Sequence, residues 1–275
     1  MSSHSHSHSR RRAAETARAT DLPRQIVVAV SAVISVVGAA IGSGAFGGTP
    51  IAEAAGGILA ADATLVAPDG PAFTIWTPIY LGLLGYAGWQ ALPARRTDPR
   101  QRRVGWLVAA TMLLNTAWIF TIQAGRVTLS VAVIAVLLVL LVAVYAGLLA
   151  RPSSGWVETV LLDGTIGLYL GWVSVATIAN TAAALLAAGY TDVGLGPVPW
   201  AILLMVVAAI VGVVVAGTGN GRFAYATALI WGLAWVAVGR SSGSDEATGV
   251  AVAAVAAAVV VLAATLIARL RGRPA

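Results

Sequence analysis

The sequence predicts an all-α integral membrane protein with about eight transmembrane helices. Three observations predict it. Of 275 residues, 59% are hydrophobic and 10% are charged, where a soluble domain carries about 25% charged residues and needs more polar surface than this chain offers. The apolar residues gather into eight runs near the ~20 residues a helix needs to cross the hydrocarbon core, where the backbone must satisfy its own hydrogen bonds. The arginines fall between those runs, almost all on one side.

Residues 1–23 form a polar, basic tail read as disordered. His4, His6 and His8 alternate with serine in it and are the only histidines. A solvated tail is a simpler account of them than a metal site. The crossings are placed at residues 25–47, 74–93, 104–124, 127–150, 159–188, 198–217, 222–239 and 247–269. The fifth is long enough to tilt or to extend beyond the bilayer. The chain thus divides into the tail at 1–23, a five-helix membrane domain over 24–190, and 191–275 with three further helices and a short basic end. With the amino terminus inside, eight crossings leave only Arg126 and Arg240 outside among 17 basic residues, all of them arginine. Glu53, Asp62, Asp69, Asp192, Asp245 and Glu246 then fall outside. This positive-inside bias predicts both termini in the cytoplasm. A lysine-free, Ala/Val/Gly/Arg-rich composition suggests a GC-rich genome, and the expected location is a bacterial cytoplasmic membrane.

The pI near 10.5 would suggest nucleic acid in a soluble protein. Here membrane orientation explains the arginines, and nothing points to nucleic-acid binding. With no cysteine, thiol and disulfide chemistry is excluded. The first run could be read as a cleaved signal peptide, but it is longer than a usual h-region. It also carries Gly38-x-x-x-Gly42, a spacing that lets helices approach closely. Residues 48–73 are the longest loop, with Pro68 and Pro71 around Asp69-Gly70 and room for helical fragments. It is either a lid or an ordinary connector.

Tryptophan carries the functional signal. Trp89, Trp106, Trp156 and Trp200 lie at or near helix ends, where indoles favour the headgroup region. Trp231 and Trp235 form an i, i+4 pair read as packing. Trp118 and Trp172 lie well inside their helices. Asn115 shares a face with Trp118, Trp76 with Tyr80, and Trp172, Ala176 and Asn180 stack at four-residue intervals. Such residues could line a flat apolar slot with a few hydrogen-bonding groups. Equally, Asn115 and Asn180 could simply bond across helices. Glu158 and Asp163, five residues apart, should not share an α-helical face. Asp163 is costly toward lipid. It could pair with Arg151 or Arg222, or relay protons, pairing being the simpler account.

Three motifs now carry a resemblance. The stretch Pro68-Asp-Gly-Pro-Ala-Phe-Thr-Ile-Trp-Thr-Pro-Ile-Tyr80 resembles the proline-rich first loop and Trp-Thr-x-x-Tyr of the TspO/translocator-protein family, and its continuation to Trp89 is similar to that family's small-residue second helix. Leu114-Asn115-Thr-Ala-Trp118 is similar to the third-helix Leu-Asn-x-x-Trp. Leu168-Tyr169-Leu-Gly-Trp172-Val-Ser174-Val-Ala176-Thr177-Ile-Ala-Asn180 is similar to the fifth-helix signature. The motifs fall in the family's order and cover about residues 25–188.

The resemblance implies a five-helix bundle with a pocket beneath the first loop, binding porphyrin or haem, synthetic benzodiazepine-type ligands and in some members sterols. It carries pocket contacts onto Trp76, Asn115, Trp118, Trp172 and Ala176. Trp76 and Asn115 would hydrogen-bond the ligand and Trp172 would stack on it. Tyr80 and Asn180 complete the candidate ligand-binding set. No cofactor, catalytic residue or metal ligand is required. The expected partners are the lipid bilayer, a hydrophobic small molecule, and a second copy in a homodimer. Leu168 replaces the family's usual proline, Ile119-Phe120 replaces a common Ser-Pro, and no sterol-type pattern follows the fifth helix. The last three helices lie outside the motifs and could pack beside the bundle, form a dimer surface or hold a second site. The leading function is therefore tetrapyrrole binding for sensing, trafficking or photo-oxidative protection. A light-dependent porphyrin-degrading enzyme is one alternative, though the chain offers no nucleophile–base pair. A proton-coupled transporter is the other, without the repeats such a fold should show.

Overall fold

In a computed structural model of the chain, residues 17–192, 194–242 and 246–272 are described. The tail histidines lie outside them. No strand occurs among the described residues. The long helices are α1 Asp21–Gly42, α2 Trp76–Gln90, α3 Pro99–Gln123, α4 Val127–Leu149, α5 Trp156–Ala187, α6 Pro197–Thr218, α7 Phe223–Arg240 and α8 Thr248–Arg271. All but α2 are single helices long and apolar enough to span a membrane, seven among the described residues. The reason for the exception lies at the start of α2. Asp69 accepts the Gly70 amide at 2.7 Å, and Pro71 follows. The chain winds first as a 3₁₀ turn over Gly70–Ile75, so only 15 residues remain α-helical.

The first five helices close into a ring in the order α1, α3, α4, α5, α2. α1 lies along α3 through the predicted small-residue stripe: a Cβ at Gly38 would collide with Thr116, and one at Gly42 with Ile119. Its amino-terminal turn is also buried in contacts. Asp21 pairs with Arg102 at 2.6 Å, and Gln25 donates to the Gln90 carbonyl at 2.6 Å.

The last three helices pack beside the ring. α7 lies on the outer face of α5, α8 on α7, and α6 on α8. At the α5–α7 seam a Cβ at Gly171 would run into the Tyr225 carbonyl, so glycine sets the approach. Large apolar side chains face outward along the spans, Val139 and Val259 among them, as lipid requires.

Three helices start before their apolar runs: α1 at Asp21, inside the stretch read as a disordered tail, and α3 and α5. α3 begins at Pro99, five residues before its predicted start, because Asp98 caps it by accepting the Arg100 amide at 2.8 Å. Proline at the first helical position reinforces this cap. α5 begins at Trp156 and passes through a π-helical turn over Thr159–Gly164.

Candidate functional site

Loop residues 43–69 cover one end of the ring, with a short helical turn at Ala54–Gly57. Beneath the loop, three of the tryptophans converge. Trp76 from α2 stacks on Tyr80 with centroids 5.2 Å apart and meets Trp172 of α5 edge-on at 6.4 Å. Phe73, from the 3₁₀ turn, meets Trp172 edge-on at 5.6 Å. Trp172 itself is only 2% exposed. Edge-to-face contacts suit the aromatic quadrupole and fix ring planes at near right angles.

Two hollows flank this aromatic cluster. A hollow of about 420 Å³ lies among α1, loop, α2 and α3, walled by Trp76, Tyr80, Trp118, Phe73 and the small residues Ala39, Ala40 and Gly42. A second, about 50 Å³, lies under the loop against α5, walled by Trp118, Trp172, Ala176, Asn180, Phe73 and Pro68. Phe73, Trp118 and Ile51 border both, so these side chains form a thin partition. The recess expected at Ala176 is therefore present, and Trp76, Trp118 and Trp172 face a shared region rather than diverging into lipid.

The amides act differently from each other. Asn115 lines neither hollow; its Nδ2 donates to Tyr80 Oη at 2.9 Å. That places the phenol O–H, rather than the amide, on the hollow's wall. Asn180 Nδ2 donates to Ser130 Oγ at 3.0 Å, while Ser130 donates to the Val127 carbonyl at 2.6 Å. Asn180 thus combines an inter-helix bond with a place on the cavity wall. The indole Nε1 of Trp118 and the hydroxyl of Thr64, both on the smaller hollow, are buried without a hydrogen-bond partner among the described residues. A buried unsatisfied donor is costly, so few persist without a use. The slot is thus apolar and flat-walled, with two unpartnered donors buried in its walls. Neither Phe73 nor Thr64 was among the sequence candidates. Phe73 could have been found, being three residues before Trp76 in the loop motif; Thr64 has no local signal.

α7 holds the loop over the slot. Trp231 Nε1 donates to the Ala72 carbonyl at 2.8 Å, the Asp69 amide donates to the Trp235 carbonyl at 3.3 Å, and Arg240 donates to the Ala61 carbonyl. The Trp231–Trp235 pair does pack, 5.6 Å apart, but it also latches the loop. Trp106 and Trp156 are exposed on the surface, in keeping with an interfacial belt. Trp200 instead borders a hollow beside the loop.

At the opposite end lies a buried charge cluster. Arg100 donates to Glu158 at 2.8 Å and to both oxygens of Asp163 at 2.7 and 2.8 Å. Arg222 at the start of α7 also donates to Asp163. Gln101 donates to Glu158 at 3.0 Å and accepts from Tyr86 at 2.8 Å. Glu158 and Asp163 meet the same guanidinium, against the expectation that five-residue spacing separates them. The π-helical turn between them is the cause, since its i→i+5 pattern brings such residues into line. Of the expected partners, Arg222 reaches Asp163, while Arg151 offers only its carbonyl to Arg100. A carboxylate clasped by two guanidiniums ties α5 to α3 and to the start of α7.

With this geometry in place, the chain can be compared with known families. A family model described as TSPO-like protein matches residues 25–267. The chain belongs to the TSPO-like protein family. The match runs beyond residue 188 and includes α6, α7 and α8, which the motifs alone had left outside the resemblance. No curated protein and no solved structure matches the chain. This TSPO-like protein is an all-helical integral membrane protein, and its family points to membrane-embedded ligand binding.

Proposed function

We propose that this TSPO-like protein binds a flat hydrophobic ligand, a tetrapyrrole such as a porphyrin or haem, beneath the first loop. The observation that carries this is the convergence of Trp76, Trp118 and Trp172 around two hollows parted only by Phe73, Trp118 and Ile51. Swinging Phe73 aside joins the hollows into one slot. Indole and phenol faces supply stacking area, and Trp118 Nε1 and the Tyr80 O–H meet carboxylate or carbonyl oxygens on the ligand's rim. Binding of this kind serves sensing, trafficking or protection from photo-oxidation. The basic end of the bundle faces the cytoplasm in this reading, and the loop end faces out.

Titration of purified protein with protoporphyrin IX, followed by absorbance and tryptophan quenching, tests the reading. Saturable binding is expected, weakened at least tenfold in Trp172→Ala. Absence of saturable binding, or an unchanged affinity in that variant, contradicts it.

A further inference from the structure

A third hollow, about 200 Å³, adjoins the slot on its far side. Its walls come from loop residues Ala63 and Leu65, the end of α5 at Ala182 and Leu186, and the start of α6 at Trp200 and Leu204. Thr64 borders both this chamber and the smaller hollow of the slot. Small alanines of α5 leave the room on both sides: Ala179 and Ala183 face the slot, Ala182 the chamber. The five-helix ring alone cannot form this chamber, because one wall is α6.

We infer that the chamber is a second ligand compartment, which receives an apolar arm of the molecule whose flat head lies in the slot. The inference rests on the ligand-binding reading above and extends it. Its polar junction supports it. Thr64 is the side chain that slot and chamber share, and its hydroxyl is buried and unpartnered, so a carbonyl or carboxylate linking head to arm would satisfy it. Beyond the junction the chamber is lined mainly by alanine, leucine and tryptophan. The chemical class is therefore a flat head, an oxygen acceptor at its rim, and an apolar substituent of several carbons.

The monomethyl and monohexyl esters of protoporphyrin IX share a head and differ in the arm. The five extra methylenes favour the hexyl ester, and with the chamber half open and detergent competing the expected preference is roughly tenfold. Ala63→Phe fills the chamber from the loop and Leu204→Trp fills it from α6. Either variant should erase the hexyl preference while leaving methyl-ester affinity within about twofold; two variants on separate elements guard against one that fails to fold. If the wild type shows no hexyl preference, or both variants keep it, the chamber assignment is overturned while the slot stands. If neither ester nor protoporphyrin IX itself binds, the slot reading falls and the chamber with it.

Discussion

The charge cluster around Asp163 and the slot beneath the loop hold their polar groups differently. Around Asp163 every charge has its partners: Arg100 spends its nitrogens on Glu158, Asp163 and two backbone carbonyls, and Glu158 also accepts from the Ser154 amide and hydroxyl at 2.7 Å. Beneath the loop, Trp118 Nε1 and the Thr64 hydroxyl are buried without partners, on side chains that line the smaller hollow. A saturated polar network locks one structure, whereas unsatisfied donors in an apolar hollow suit a guest. The difference teaches which buried polar residues serve the fold and which serve a ligand, in a protein where both kinds look alike by composition.

The sharpest way to break this contrast is to remove Arg100. Arg100→Met keeps the packing of the stem but strands two buried carboxylates, so a loss of about 3–5 kcal/mol is expected, read as a collapse of thermal stability in detergent. Adding Glu158→Gln and Asp163→Asn should restore part of the loss, because the stranded charge is then gone. An Arg100→Met protein as stable as wild type would show that the cluster does not hold the helices together.

Much of this contrast was open to the sequence, and part of it was not. The crossings, the Gly38–Gly42 contact and the convergence of Trp76, Trp118 and Trp172 were legible, because hydropathy, small-residue spacing and helical periodicity are local signals. The start of α3 was legible as Asp98-Pro99 but was hidden by the arginines behind it, which an apolar window excludes. Arg100 was missed for the same reason. The meeting of Glu158 and Asp163 was not legible, since it depends on a π turn that five-residue spacing alone does not announce. Asn115 turning to Tyr80, and Trp231 reaching Ala72, depend on which helices adjoin, and sequence spacing within one helix does not reveal that.

The loop latch should give an intermediate effect. Trp231→Phe removes the bond to the Ala72 carbonyl but keeps most of the packing, so stability should fall by only about 1 kcal/mol. Ligand release, followed by stopped-flow recovery of tryptophan fluorescence, should speed up several-fold as the loop loosens. An unchanged release rate would mean that the loop does not gate the slot.

The smallest effect on stability, and the one with inverted sign, is expected at Thr64. Thr64→Val removes a buried hydroxyl that has no partner, so the unliganded protein should be as stable as wild type or up to about 1 kcal/mol more so. Protoporphyrin affinity should nevertheless fall several-fold. A parallel loss of both would place Thr64 with the structural polar groups of the other end.

The most direct measurement replaces all three converging indoles at once. In Trp76→Phe/Trp118→Phe/Trp172→Phe, six of the nine tryptophans remain, and the aromatic walls keep much of their volume. Protoporphyrin IX titrated into this variant should lose most of its saturable quenching and bind at least tenfold more weakly than to wild type. The same dissociation constant and the same saturable quenching from the six remaining tryptophans would place the ligand elsewhere and contradict the account.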